Sequence, residues 1–151
     1  MCAKATAVEE TLVVISDCGT LVQPNVHDGY VRGIAISNKN EIVALLDSLE
    51  GLSYELIMHD IVAFKADDFR EGNIILDITI TTRRLISVAE LSHLIDVDNY
   101  ENIKNYIDSI IAKINEGALY FIELNPSYGC FFSCLCKSYE LKFRSEEITG
   151  T

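Results

Sequence analysis

Basic residues are scarce in this chain. Lys and Arg together number 12 against 23 Asp and Glu, a formal net charge of -11 over 151 residues. That deficit excludes bare nucleic acid as the expected partner, because such binding is driven by basic side chains displacing phosphate counterions. A basic protein or a cationic ligand is the better electrostatic match. Long apolar runs are also missing. None approaches the roughly 20 residues a membrane-spanning helix needs, so no membrane partner is expected. The N-terminus lacks a basic start followed by an apolar run, and Glu9 and Glu10 come early, so no secretory signal is read. The five cysteines (Cys2, Cys18, Cys130, Cys134 and Cys136) are odd in number and show no even, loop-spanning spacing. A disulfide framework is therefore not expected, and a reducing cytoplasm is. There is no internal repeat, low-complexity linker or domain break.

What is present suits a folded domain. Apolar residues make up 49% of the chain, with six Phe and seven Tyr, which argues against disorder. A chain of this length is one domain's worth and should bury roughly 70% of its unfolded surface without help from a metal or disulfide. We expect a flexible tail over 1–10, a single α+β domain over 11–145 and a second tail over 146–151.

The organising stretch is 118–143, ALYFIELNPSYGCFFSCLCKSYELKF. Two aromatic-rich apolar runs flank Asn125 to Gly129, which reads as a β-hairpin placed centrally in a sheet. Upstream, Thr11–Ser16 is strand-like. Leu21–Val26 is ambiguous because Pro24 argues against a central strand. Tyr30–Ser37 reads as a second strand, and Gly33 marks a bulge or close approach. A first helix is expected over 39–50, with Asn38 as N-cap, Ile42, Leu45, Leu46 and Leu49 as its apolar stripe and Gly51 as its stop. Tyr54–Met58 and Ile61–Lys65 read as strand material interrupted near His59 and Asp60. Ile74–Thr82 is a clear β run whose Ile74, Leu76, Ile78 and Ile80 should meet the core. Ser87 and Glu90 fit a capping box before a short helix with Val88, Leu91, Leu94 and Ile95 on one side. The longest helix follows Asp98, with Glu101 completing a second cap signature. Ile103, Ile107, Ile110 and Ile114 form its stripe, Tyr106 and Ile111 widen it, and Gly117 ends it. The expected architecture is a two-layer α+β fold with a mostly antiparallel sheet and helices packed on one face.

Several residue groups could carry chemistry. VISDCGTL, residues 14–21, resembles the first motif of haloacid-dehalogenase-like phosphatases. That resemblance would require two aspartates one residue apart, and here Ser16 and Cys18 occupy those positions. A strand end followed by an ordinary turn is the favoured reading. Cys134 and Cys136 lie two apart, about 7 Å between Cα atoms on a strand, beyond disulfide range. A soft metal shared with His59 or His93 is the sharper alternative, buried free thiols the favoured one. Asp67, Asp68 and Glu71 lack the spacing of a calcium loop. They read as a polar turn or, with Phe69 as an apolar anchor, as an acidic docking patch. Asp77 and Glu123 each interrupt an apolar strand. They read as open-face residues, or as a facing carboxylate pair.

The stretch FKADDFREGNIIL, from Phe64 to Leu76, with Leu119–Glu123 and the Tyr128–Gly129 pair, resembles the small immunity proteins of bacterial polymorphic-toxin systems. Those families carry an aspartate pair and Glu-Gly before a strand, then a helix, then a Tyr-x-Glu strand. Two residues, rather than one, separate Tyr120 from Glu123 here. The resemblance implies a non-enzymatic acidic protein that binds a toxin domain and blocks it. The partner-binding residues are then Asp67, Asp68, Phe69 and Glu71, followed by Tyr128, with Asp96 and Asp98 (beside Glu101) as a second acidic patch. No cofactor or metal is implied. Two other classes remain open: a small cytoplasmic enzyme or ligand-binding protein using Asp77, Glu123 and a histidine in a pocket between helix and sheet, and a self-associating protein such as a homodimer.

Overall fold

The computed structural model describes residues 11–37 and 40–144. The expected tails at 1–10 and 146–151, and the expected helix cap Asn38, lie outside the described residues.

Alternation, rather than helical spacing, governs most of the chain. The described strands are β1 (Val14–Ile15), β2 (Leu21–Gln23), β3 (Tyr30–Ser37), β4 (Glu41–Asp47), β5 (Ser53–Asp67), β6 (Asn73–Thr81), β7 (Tyr120–Tyr128) and β8 (Phe131–Arg144). The one described α-helix is α1 (Tyr100–Glu116), preceded by two 3-10 turns at Val88–Leu91 and Val97–Asn99. Six strands close into an antiparallel barrel in the order β3-β4-β5-β8-β7-β6, while β1 and β2 form a small separate ribbon. The antiparallel sheet is as expected. The two-layer arrangement with helices on one face is corrected, because the sheet rolls onto itself and the one described α-helix packs outside it.

The largest correction is β4. Ile42, Ala44 and Leu46 are buried while the residues between them are half-exposed, the period of two that a strand requires. Leu49 of the expected helical stripe is exposed. Pairing decides the matter: β4 sits between β3 and β5, in unbroken register with β5 and, apart from a shift between Val31 and Gly33, with β3, so that Val43 stands opposite Ala35 and Ile57. Isolated helices of this length are marginal, so strand pairing on both edges overrides the 3.6-residue pattern.

The two pieces of strand around His59 and Asp60 are one long strand, β5. Asp60 adopts φ 52, and the register shifts between Ile61 and Ala63, so the strand bends there without ending. Shifts in β6 between Ile74 and Asp77 change which side chains face inward. Ile75, Ile78 and Ile80 are buried, whereas Leu76 is exposed and Ile74 half-exposed. The expected core pair Ile74 and Leu76 is thus replaced by Ile75.

The interior holds Ile42, Leu46, Leu56, Met58, Ile78, Ile122 and Phe132 among others. Cys130, Cys134 and Cys136 join them as buried free thiols. The hydrogen bond with Cys136, and then burial, push the Cys134 thiol up, so it stays protonated and packs as a small apolar group. His59 and His93 share no site with these thiols. Among the described residues, no group of three His, Cys, Asp or Glu side chains is arranged to hold a metal.

A second cluster lies on the outer face. Leu135 of β8, paired with Phe121 of β7 and Ala63 of β5, is covered by Ile107, Ile110 and Ile114 of α1 together with Ile86 and Leu91. The helical stripe is as read, except that Tyr106 is exposed. The helix N-cap is Asn99 rather than Asp98, and Gly117 ends the helix at φ 82. Ser87 N–H donates to Glu90 Oε2 at 2.7 Å, the reciprocal half of the expected capping box, here on a 3-10 turn. No described helix is long and apolar enough to cross a membrane.

Outside the barrel, His59 joins three strands. Its Nδ1 lies 3.0 Å from Glu41 Oε2 on β4 and its Nε2 lies 2.8 Å from Glu140 Oε2 on β8. Both ring nitrogens meet carboxylates, so the structure favours the imidazolium. Its pKa is raised, chiefly by the Glu140 hydrogen bond, and the Glu140 carboxyl is lowered chiefly by His59. A raised histidine contributes stability that is complete below its unfolded value of about 6.5 and is lost as pH rises through the native value. The Glu140 contribution has the opposite sign: it is present above the ordinary carboxylate value and lost as pH falls through its lowered native value. The contribution of this clip should therefore be greatest between the two. Urea midpoints measured from mildly acidic to mildly alkaline pH should fall more for the native chain than for His59→Gln. Parallel curves would show that the clip contributes nothing.

Candidate partner-binding surface

The residues connecting β5 to β6 form a turn at one end of the barrel, and one buried side chain fixes its shape. Asn73 is 1% exposed. Its Oδ1 accepts from Arg70 N at 2.7 Å and from Cys130 N at 3.0 Å, and its Nδ2 donates to Arg70 O at 2.6 Å. The same Nδ2 reaches Val31 O on β3 at 3.5 Å. One amide thus ties the turn to the β7–β8 hairpin and to β3. The hairpin turns at Gly129, φ 83, where a Cβ would stand 2.5 Å from Asn73 Oδ1. Glycine is required there on both counts. Asn125, Pro126, Ser127 and Tyr128, expected in the reversal, belong to the end of β7.

Phe69 sits on this turn 51% exposed, and Tyr128 is 50% exposed. The Arg70 guanidinium lies 5.5 Å from the centre of the Tyr128 ring and its Nε donates to Asp68 Oδ1 at 2.8 Å. Arg32 of β3 stacks on Tyr30 at 5.7 Å and is paired through Nε with Asp47. Between them opens a hollow of about 500 Å³ lined by Tyr30, Val31, Arg32, Phe69, Arg70 and Glu71. A larger hollow, about 570 Å³, lies elsewhere among Leu12, Val22, Glu50, Leu52, Tyr54 and Phe143.

The structure gathers Asp68, Phe69, Glu71 and Tyr128 around one surface, with Asp67 at its edge. It gives the two aspartates a local task. Asp67 Oδ2 accepts from His93 Nε2 at 2.7 Å and lies 3.4 Å from Lys65 Nζ. Its carboxyl is lowered chiefly by the His93 bond. Asp68 is committed to Arg70. Asp96 and Asp98 stand apart, in the connection leading to α1, where Asp96 Oδ1 accepts the Asp98 N–H at 3.1 Å. Among the described residues no hydrogen bond or ion pair joins them to the turn. Tyr30, Arg32 and Asn73 were not singled out in the sequence. Asn73 alone carried a signal, as an amide at the exact start of an apolar β run.

The residues of the alternative reading share the outer face of the sheet. Glu123 pairs with Thr79 and Ser133, and Asp77 with Asn125, so the two carboxylates stand on neighbouring rows. Asp77 Oδ1 accepts from Asn125 Nδ2 at 2.7 Å. Glu123 is half-buried, and its carboxyl is pushed up by burial and then by the charge of Glu90. Ser133 Oγ lies 2.7 Å from His93 Nδ1, so a serine, a histidine and Asp67 run in line. Ser133 is fully buried and the His93 ring stacks on Phe131 at 3.9 Å, so this line clamps the 92–95 segment to the sheet and gives a substrate no access to the hydroxyl.

No family model, curated protein or solved structure matches this chain. Any function therefore has to be argued from the surface itself.

Proposed function

We propose that this chain is a non-enzymatic acidic binding protein that captures a basic protein partner and neutralises it. A toxin domain is the partner class implied by the resemblance to immunity proteins. The observation that carries the reading is the pair of half-exposed aromatic side chains, Phe69 beside the hollow on a turn that Asn73 has already ordered, and Tyr128 next to it under the Arg70 guanidinium. Aromatic residues and arginine are the side chains most often found at the energetic centre of interfaces, and the aromatic rings give large contact at low entropic cost. A turn fixed before binding loses little further freedom on binding. The net charge of -11 would steer a basic partner and speed its capture. Asp67 and Asp68 serve chiefly to hold the turn in this reading, and Phe69 and Glu71 meet the partner.

Affinity capture from the native host lysate tests this with the native chain, Phe69→Ala, and the Asp67→Ala, Asp68→Ala double variant. One stoichiometric basic partner is expected. Phe69→Ala should weaken it by about 2 kcal/mol, close to thirtyfold, as for a central aromatic anchor. The partner's own activity should be lost in the complex. Absence of any stoichiometric partner at low and at physiological salt would end the binding reading. A partner held equally by all three chains would move the interface elsewhere.

A further inference from the structure

The barrel closes through a short seam. β3 meets β6 only where Tyr30 pairs with Ile74 and Val31 with Asn73. The strands are antiparallel and β6 begins at Asn73, so from Arg32 onward β3 runs past the start of β6 and alongside the 68–72 turn. Its other edge pairs with β4 as far as Ser37. From Gly33 to Ile36, the edge turned away from β4 has no strand partner among the described residues. The rest of β6 is covered, since Ile75 exchanges hydrogen bonds with the 28–29 backbone and Ile80 N donates to Gly19 O.

Unpaired strand edges are usually protected by lysine, proline or an inward-pointing charge. Gly33, Ile34, Ala35 and Ile36 supply none of these, and the β-bulge of this strand lies before them, between Val31 and Gly33. Ile36 lies opposite Ile42, whose side chain is buried in the barrel, yet Ile36 itself is 77% exposed. It is an inward-parity residue on a strand that has outrun its core. The open edge begins at Arg32, one wall of the hollow that also contains Phe69 and Glu71.

We infer that the free edge of β3 accepts an extended segment of the basic partner as an added antiparallel or parallel strand. This rests on the binding role proposed above and names how that partner would dock. Main-chain hydrogen bonds to residues 33–36 would supply affinity, and alternate side chains would supply selectivity. One parity of the incoming segment would lie over Ile34 and Ile36 and be apolar. The other parity would share the outer face with Glu41 on the adjacent β4, and with Glu71 at the rim, where Arg32 and Arg70 are already paired with Asp47 and Asp68, and be basic. The occupant is thus an alternating apolar and basic segment leading toward Phe69. A second copy of this acidic chain fits less well, because it would bring like charge to the same edge.

The test uses the full chain with a short capped peptide alternating valine and lysine, and with two controls: the valine–glutamate version, and the valine–lysine peptide N-methylated along one edge. Hydrogen exchange and calorimetry are read together. The valine–lysine peptide should slow exchange of the outward-facing amides in 33–36 by about tenfold or more. Ile36→Lys, at an exposed site where folding is verified by circular dichroism, should weaken the peptide by about tenfold, the size of one lost apolar anchor. Both control peptides should fail to bind. No binding, binding without slowed β3 amides, or equal binding by Ile36→Lys or by the N-methylated peptide would overturn strand addition. A concentration-dependent dimer lost in Ile36→Lys would assign the edge to a second copy and overturn the partner assignment. The natural partner, if captured equally by Ile36→Lys but lost with Phe69→Ala, would leave the binding function standing and remove this mode of docking.

Discussion

An Asn73→Ala chain is expected to lose about 3 kcal/mol or more of unfolding free energy and, with it, most partner binding. The side chain is buried and makes short bonds to Arg70 N, Arg70 O and Cys130 N, with a longer one to Val31 O. Truncation leaves those backbone groups without their partner, the Cys130 and Val31 groups in a buried site and the Arg70 groups in a half-buried one, at about 1–3 kcal/mol for each group that stays unsatisfied. The damage should also be local. The amides of Arg70 and Cys130 should exchange faster even after correction for the global loss, because their acceptor is gone. Phe69 should then lose its fixed position and bind as though presented by a loose loop. A variant of native stability, or one whose Arg70 and Cys130 amides stay protected, would show that the turn is held by something other than this amide.

Phe132→Ala is expected to cost about 3–5 kcal/mol, a large share of the about 5–15 kcal/mol that holds a domain together. The ring is fully buried inside the barrel, 5.7 Å from the Phe64 ring, with Ile122 and Leu124 in the same cluster. A closed barrel cannot collapse onto the vacated volume without shifting register around its circumference, so most of the cavity should persist. Urea unfolding measures the loss, and Ile36→Ala is the matched control. That side chain is largely in water, and its truncation should fall within about 0.5 kcal/mol of neutral. A Phe132→Ala cost below about 1 kcal/mol would mean that the interior is not packed as a closed barrel requires.

These two residues mark a boundary in what the sequence reveals. Phe132 is legible at once, in an aromatic run beside a turn signal. Asn73 is nearly invisible, one amide at the edge of a polar loop. Its importance comes from three backbone segments, near residues 31, 70 and 130, that meet only when the barrel closes. The same holds for Arg32 and Tyr30, which reach Phe69 only because β3 and β6 form the seam. Phe69, Glu71 and Tyr128 were readable as surface candidates, since a lone aromatic among charges and a Tyr beside Gly are local patterns. Their proximity was not. Asp67 and Asp68 were read as a polar turn or an acidic docking patch; folding brings His93 to Asp67, while Asp68 pairs with its near neighbour Arg70, and both carboxylates stay half-exposed.

Wherever a segment's preference was settled by its own residues, the sequence determined the outcome. The 118–143 hairpin, the strand at Tyr30–Ser37, the helical stripe of Ile107, Ile110 and Ile114, and the buried thiols on one strand parity all follow from local period and composition. Tertiary structure decided the rest. The 41–47 segment became a strand because both of its edges found partners. The Ile74–Asp77 bulges exchanged Leu76 for Ile75 in the core. Closure of six strands, with an edge that has no strand partner at Gly33–Ile36 among the described residues, depended on the relative lengths and offsets of β3 and β6. A sequence pattern fixes which face of a segment is apolar. Which other segment covers that face, and where coverage stops, is set by pairing over the whole sheet.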